Sequence, residues 1–312
     1  MIPVRDTARR AVSASTLAGA LLLGGTACSA QEEGASSAAS IGSAENGEVK
    51  GPPVVPVSGL TKGLALPLEA YMLNYADGLQ IERSKQRLAA ACMKRLGFRY
   101  RVPELGLMPP PSSNDANMPR RYGITDLKES ETLGYQVPSV DISKVNADVN
   151  PTRAEWQALM GRTAPGPEGM AAPTGSGIPE NGCLGEASRK LDAEFGDTKT
   201  GELNRKSYED SLGDPAVQDV IRRWSACMRS SGYQFTDPQN APFAHFGESS
   251  TPSAEEIRTA VTDVTCKEKT DLVGVWFSVE TRMQKEFIEE NQLVLDAEKK
   301  QVADAIKNAS RM

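Results

Sequence analysis

Histidine is nearly missing from this sequence: His245 is the single one in 312 residues. A histidine general base therefore has one candidate, in an Ala-Pro-Phe-Ala-His-Phe stretch with no nucleophile motif beside it. The patterns G-x-S-x-G and H-x-x-E-H are missing, as is a phosphate-cradling glycine loop, so no standard hydrolase or nucleotide signature exists. Cys-x-x-Cys is absent too, which with one His argues against zinc and against thioredoxin-like exchange. Asp141, Asn146 and Asp148 lack calcium-loop spacing and its central Gly. Neither a metal nor a cofactor is expected. The acid pairs Glu255/Glu256 and Glu289/Glu290 read as solvated helix faces. A two-carboxylate hydrolase needs no adjacent pair, so that class stays open.

Positive charge is in deficit. The chain carries 35 basic and 41 acidic groups, a net −6. Residues 1–28 hold three Arg and one Asp, which leaves 32 basic and 40 acidic groups and a net −8 beyond them. Such a chain gains nothing from phosphate counterion release, so nucleic acid is not an expected partner. Anionic lipid surfaces would not attract it as a whole, so membrane association needs an anchor.

The N-terminus reads as one. Arg5, Arg9 and Arg10 form a positive region, Ala11 to Leu23 is small and apolar, and Gly24-Gly25-Thr26-Ala27-Cys28 follows. The apolar run is too short to span a bilayer. The pattern is that of a bacterial lipoprotein signal over 1–27, with Cys28 lipidated after cleavage, although Gly25 stands where Leu is usual. Ordinary secretion with cleavage after Ala30 is the alternative, and Arg9-Arg10 leaves twin-arginine export open. Residues 28–64, rich in Ser, Ala, Gly, Glu and Pro, bury too little to fold and are expected to be a tether.

One stretch occurs twice: Cys92-Met93-Lys94-Arg95-Leu96-Gly97-Phe98-Arg99-Tyr100 and Cys227-Met228-Arg229-Ser230-Ser231-Gly232-Tyr233-Gln234-Phe235. Each closes a helical pattern. With Cys28 set aside, four cysteines remain, and three pairings are open. Each repeat copy is followed by one further Cys, which favours Cys92–Cys183 and Cys227–Cys266 as structural disulfides in an exported protein.

The rest reads as a mainly α disulfide-stapled domain, 65–312, divided into a first repeat with an insertion (65–200) and a second (201–312). Helices are expected near 66–73, 76–96, 126–133, from a Thr152/Glu155 capping box, 183–195, 203–212, and from Asp214-Pro215 to the Gly232 cap. From the Ser253/Glu256 box to about Ser310 only Gly274 interrupts. Val264, Leu272, Trp276, Val279, Met283, Phe287, Val294, Ala297, Val302 and Ala305 step mostly by three and four, as in a coiled coil. An unbroken helix there would reach roughly 85–90 Å. It must project, bend at Gly274, or pack on a partner. Long Pro/Gly-rich loops separate the helices, and their aromatics Tyr122, Tyr135, Phe243 and Phe246 are candidate binding residues, with covering the helices as their plainer role.

In its repeated Cys-Met-basic-x-x-Gly-aromatic motif, its tether and its closing helix, the chain resembles uncharacterised lipoproteins of high-GC Gram-positive bacteria. The resemblance implies a location, the outer face of the cytoplasmic membrane, and no chemistry. The expectation is a non-enzymatic accessory lipoprotein, anchored through Cys28. Its partner would be an envelope or transport protein docking along Glu280 to Ile306. A solute- or glycan-binding module is the alternative.

Overall fold

The computed structural model describes residues 50–137, 151–162, 177–245 and 251–312. Cys28, Phe246, the signal and most of the tether lie outside them. The described residues belong to one compact unit. Among them are eight α-helices and no strand: α1 Tyr75–Arg95, α2 Leu127–Leu133, α3 Arg153–Met160, α4 Gly182–Leu191, α5 Lys199–Ser211, α6 Pro215–Ser230, α7 Ala254–Thr270 and α8 Leu272–Ala309. A 3-10 helix, Pro67–Tyr71, precedes them. None is long and apolar enough to cross a membrane.

The repeated motif is a stapling and capping device. In the first copy the Gly97 N–H donates to the Lys94 carbonyl and the Phe98 N–H to Met93, at 3.1 and 2.9 Å. In the second, Gly232 donates to Arg229 and Tyr233 to Met228, both at 3.0 Å. This is the paired pattern that ends a helix on a left-handed residue. Gly97 and Gly232 have φ of +85° and +94°. No neighbour crowds either position, so conformation and not space demands the glycine. The reversal folds Phe98 back against buried Met93, and Tyr233 back against buried Met228. The Cys one residue before each Met staples its helix to a neighbour: Cys92 to Cys183 on α4, and Cys227 to Cys266 on α7.

Two cores form around these staples. α1, α3 and α4 enclose Ala89, Met93, Leu159 and Ala187. α6, α7 and the first half of α8 enclose Val220, Trp224, Met228 and Trp276. The sequence halves are not the spatial halves, however. Leu66, Met118 and Tyr122 belong to the second core, and α2 packs on α7. A boundary near residue 200 therefore divides the repeats but not the packing.

α8 joins the two. Its 38 residues correspond to about 57 Å. The break that separates it from α7 is at Asp271, with φ of +55°, rather than at Gly274. Asp tolerates the left-handed region better than most side chains. Gly274 matters for space instead. A Cβ there would lie 2.3 Å from Asp271 Oδ1, so the glycine leaves room for the Asp271 carboxylate in this rotamer. A second irregularity, at Asn291 (φ −121°, ψ 16°), kinks α8 itself. The Asn291 Nδ2 donates to the Phe287 carbonyl at 2.8 Å, a side chain competing for an acceptor of the helix ladder.

The buried face continues past the kink along Gln284, Ile288, Asn291 and Leu295. Leu272, Trp276 and Val279 are buried as the periodicity expects, but past Asn291 it is Leu295, not Val294 or Ala297, that turns inward. Leu295 packs with Leu68 and Leu203, while Ala305 and Ala309 pack with Ile81 and Leu191. Polar ties fix the same half. Glu298 accepts from the Lys199 and Thr200 N–H groups and the Thr200 hydroxyl at 2.5, 3.0 and 2.6 Å, capping α5 from another helix. The Ser84 hydroxyl donates to the Ala309 carbonyl and the Asn308 amide to that of Leu191. The far half of α8 thus packs on its own domain rather than projecting, although Val294 and Ala297 of the expected stripe are exposed.

Shorter differences follow the same local logic. The fourth helix stops at Leu191, because Asp192 takes φ of +56°, which leaves Phe195 beyond it on the surface. The Thr152/Glu155 capping box and the αL stop at Gly161 form as expected.

Candidate functional site

Desolvated ionisable groups mark active sites more often than chance, so they come first. Two such clusters exist among the described residues. In one, Glu280 accepts from Arg121 Nε and Nη2 at 2.8 and 2.6 Å, from the Tyr122 hydroxyl at 2.8 Å and from the Ser207 hydroxyl at 3.0 Å. Arg121 also donates to the Ala116 and Asn204 carbonyls, both at 3.0 Å. In the other, Asp263 and Lys267 pair at 3.0 Å, Trp224 Nε1 donates to Asp263 at 2.9 Å, and Lys267 donates to the Ile124 carbonyl at 2.9 Å. Burial pushes the Asp263 pKa up and the Lys267 pKa down. Both clusters are sealed within the core and well supplied with partners. They tie the loop before α2 to α5, α7 and α8.

Their positions settle one expectation. Tyr122 is 0% exposed and sits beside Trp276 with ring centroids 5.2 Å apart. It is a core residue, and burial raises its hydroxyl pKa, with Glu280 adding to the shift. It lines no groove. Tyr135 is half-buried, its ring stacked on His245 with centroids 6.0 Å apart. Burial, then the charge of Asp263, raises its hydroxyl pKa. Phe243, 68% exposed, sits in the short 3-10 turn Pro242–His245. Of the four aromatic candidates, then, Phe243 is open, Tyr135 borders the same turn, Tyr122 is elsewhere, and Phe246 is outside the described residues. His245 stacks on the Tyr135 ring. Among the described residues no group of three His, Cys, Asp or Glu side chains could hold a metal ion.

Among the described residues, concave surface lies along α1. Two open cavities, of about 500 and 660 Å³, share Tyr75 and Leu79. Tyr75, Leu79, Arg83 and Arg87 line one face of the helix at four-residue steps. The opposite rim of the larger cavity is the loop Pro110 to Asn117. That loop is tied to the helix start, since the Tyr75 N–H donates to the Ser113 carbonyl at 2.7 Å. Asn74 caps the helix by accepting from the Asp77 N–H at 3.0 Å. Gly51 lies flat on the Tyr75 ring, where a Cβ would come within 2.7 Å, and so brings Lys50 to the rim.

No motif points to this face. Leu79 reads in the sequence as part of the apolar stripe, although the Tyr-Leu-Arg-Arg series at i, i+4, i+8 and i+12 is a legible signal. The Pro-rich loop that makes the helix face concave has no periodicity to betray where it folds. No family model, no curated protein and no solved structure matches this chain.

Proposed function

We propose that this is a non-enzymatic cell-envelope lipoprotein, anchored through Cys28 to the outer face of the cytoplasmic membrane. It works by binding, as an accessory to another envelope or transport component, through the groove along α1. The observation that carries this reading is a division of labour among polar groups. The deeply desolvated acids and bases are closed into the core, where they hold helices together, while the half-buried Tyr75 and Arg83 and the exposed Arg87 border an open groove. Binding sites combine such apolar and convergent polar linings.

The lipid anchor rests on the sequence around Cys28 and on cysteine pairs that suit an oxidising compartment. The long helix is a weaker docking surface than its periodicity implies, because its stripe covers the protein's own cores. Mass spectrometry of the protein extracted from membranes tests the anchor: a diacylated N-terminal Cys28 is expected, and release into the medium after cleavage at Ala30 contradicts it. Site-specific photocrosslinking in cells tests the groove. A photoreactive residue in place of Leu79 is expected to give a discrete adduct that one in place of the exposed Leu293 does not. Adducts at position 293 alone contradict the groove.

A further inference from the structure

Three valines stand on the surface where the tether meets the domain. Val54, Val55 and Val57 are 58%, 36% and 68% exposed, and Pro53 beside them is exposed too. An exposed apolar residue by itself needs no explanation, but three valines within one short stretch of loop form a patch. The loop that carries them is fixed to the domain. Pro56, between the valines, is buried, and its carbonyl accepts from the Gly63 N–H at 2.9 Å. The Leu60 N–H donates to the Thr125 carbonyl at 3.0 Å, and the hydroxyls of buried Thr61 and Thr125 lie 3.4 Å apart. Gly59, with φ of +70°, lets the backbone pass so close that a Cβ would lie 2.9 Å from the Thr125 oxygen. Leu60 and Leu64 pack on the core around Trp224. The domain thus holds this loop in place and leaves its valines uncovered. The same reversal brings the exposed Lys62 near Pro56.

We propose that the loop Pro53 to Val57 docks on the bilayer that carries the Cys28 lipid, with the valines at the headgroup–acyl boundary and Lys62 at the phosphates. The inference rests on the anchor reading above and adds a second membrane contact to it. Position favours a bilayer over a protein as the occupant. The described chain begins at Lys50, four positions before Val54, so this patch is the exposed apolar part of the domain nearest Cys28 along the chain. Backbone chemistry favours it as well. Pro52, Pro53 and Pro56 have no N–H, so the loop takes few donors into an apolar phase, and it offers too few for a partner's strand to pair with. The Pro53-x-x-Pro56 spacing would suit a polyproline-binding groove, but Pro56 is buried against its own domain and closed to one. A lysine beside apolar side chains lays its stem along them and keeps its ammonium among the headgroups. Because the lipid already holds the chain at the membrane, three small side chains are enough to set its orientation, where they could not recruit a free protein.

The test uses the full mature chain, coupled through the Cys28 thiol to a maleimide phospholipid in vesicles of phosphatidylcholine and phosphatidylglycerol. The other four cysteines are paired in disulfides and do not react. The vesicles also contain a phospholipid with a photoreactive group on its acyl chain. After irradiation and trypsin digestion, lipid adducts are expected on the peptide Gly51–Lys62 and not on Glu286–Lys299, which carries the exposed Leu293. The V54S/V57S variant changes only exposed side chains; it is expected to keep its helical circular dichroism and to lose at least about fivefold in labelling. No adduct on Gly51–Lys62, equal labelling of both peptides, or unchanged labelling of V54S/V57S overturns the proposal. A photoreactive residue at position 57 that captures a protein in cells, with vesicles giving no adduct, overturns it in favour of a protein partner. The anchor reading fails separately: an unmodified Cys28 in protein extracted from cells removes that reading, whereas the vesicle experiment supplies the lipid chemically and reads the loop alone.

Discussion

Replacing Glu280 with Ala should destabilise the protein more than any single surface change. The carboxylate is fully buried and accepts four hydrogen bonds, two of them from the almost fully buried Arg121. Removing it leaves the guanidinium charged, desolvated and short of its main partner, because the Ala116 and Asn204 carbonyls are only dipoles. Breaking a buried pair from one side costs about 3–5 kcal/mol. For a domain of this size that is a fall in Tm of about 6–20 °C. The Glu280→Gln variant should lose nearly as much, since its amide NH2 faces donors. By contrast R121M/E280L removes both charges and should recover much of the loss, because apolar replacements of a buried pair are often neutral or better. Urea denaturation followed by far-UV circular dichroism gives all three values. A loss under about 1 kcal/mol for Glu280→Ala, or a double variant no more stable than Glu280→Ala, refutes the reasoning.

Other outcomes follow from the same structure. Gly97→Ala and Gly232→Ala should each cost about 1–2 kcal/mol, because both positions need positive φ; Asn at either position should cost less in the same denaturation assay. Reducing the disulfides, which close loops with separations of 91 and 39 residues, should lower stability by about 4–5 and 4 kcal/mol in the chain-entropy model, read as a shift in the urea midpoint. Glu186 is held below the usual carboxylate range by hydrogen bonds from Arg95 and Lys190. Its contribution is therefore complete above the ordinary glutamate pKa and is lost as pH falls through its lowered value. Glu186→Gln should flatten the acid limb of Tm against pH, and an unchanged limb contradicts that assignment.

What can be read from the sequence is local. The Thr152/Glu155 box, Pro215 at a helix start and the left-handed Gly97 and Gly232 are each decided within a few residues, and each is where the pattern places it. The cysteine pairing is legible because the motif is repeated, so one copy instructs the other. The helix break lies three residues before the expected Gly274. Glycine is the more permissive type, yet the left-handed turn falls to Asp271. Leu295 rather than Val294 is buried because the inward face of α8 runs through the polar Glu280 and Gln284, which an apolar periodicity does not register. Tyr122, next to Gly123 in a loop, resembles a surface aromatic. It is instead a core residue because Glu280, 158 positions later, offers its hydroxyl an acceptor. The α1 groove is likewise non-local, a helix face made concave by a loop.

The central physical claim is that the far half of α8 covers the first core and makes one unit of two. Its most direct test is hydrogen exchange on the chain truncated after Asn291. Protection in α1 and α4 should fall sharply, because Ile81, Ser84 and Leu191 lose Ala305 and Ala309, while α6 and α7 keep theirs around Trp224. Unchanged protection in α1 and α4 would contradict the account.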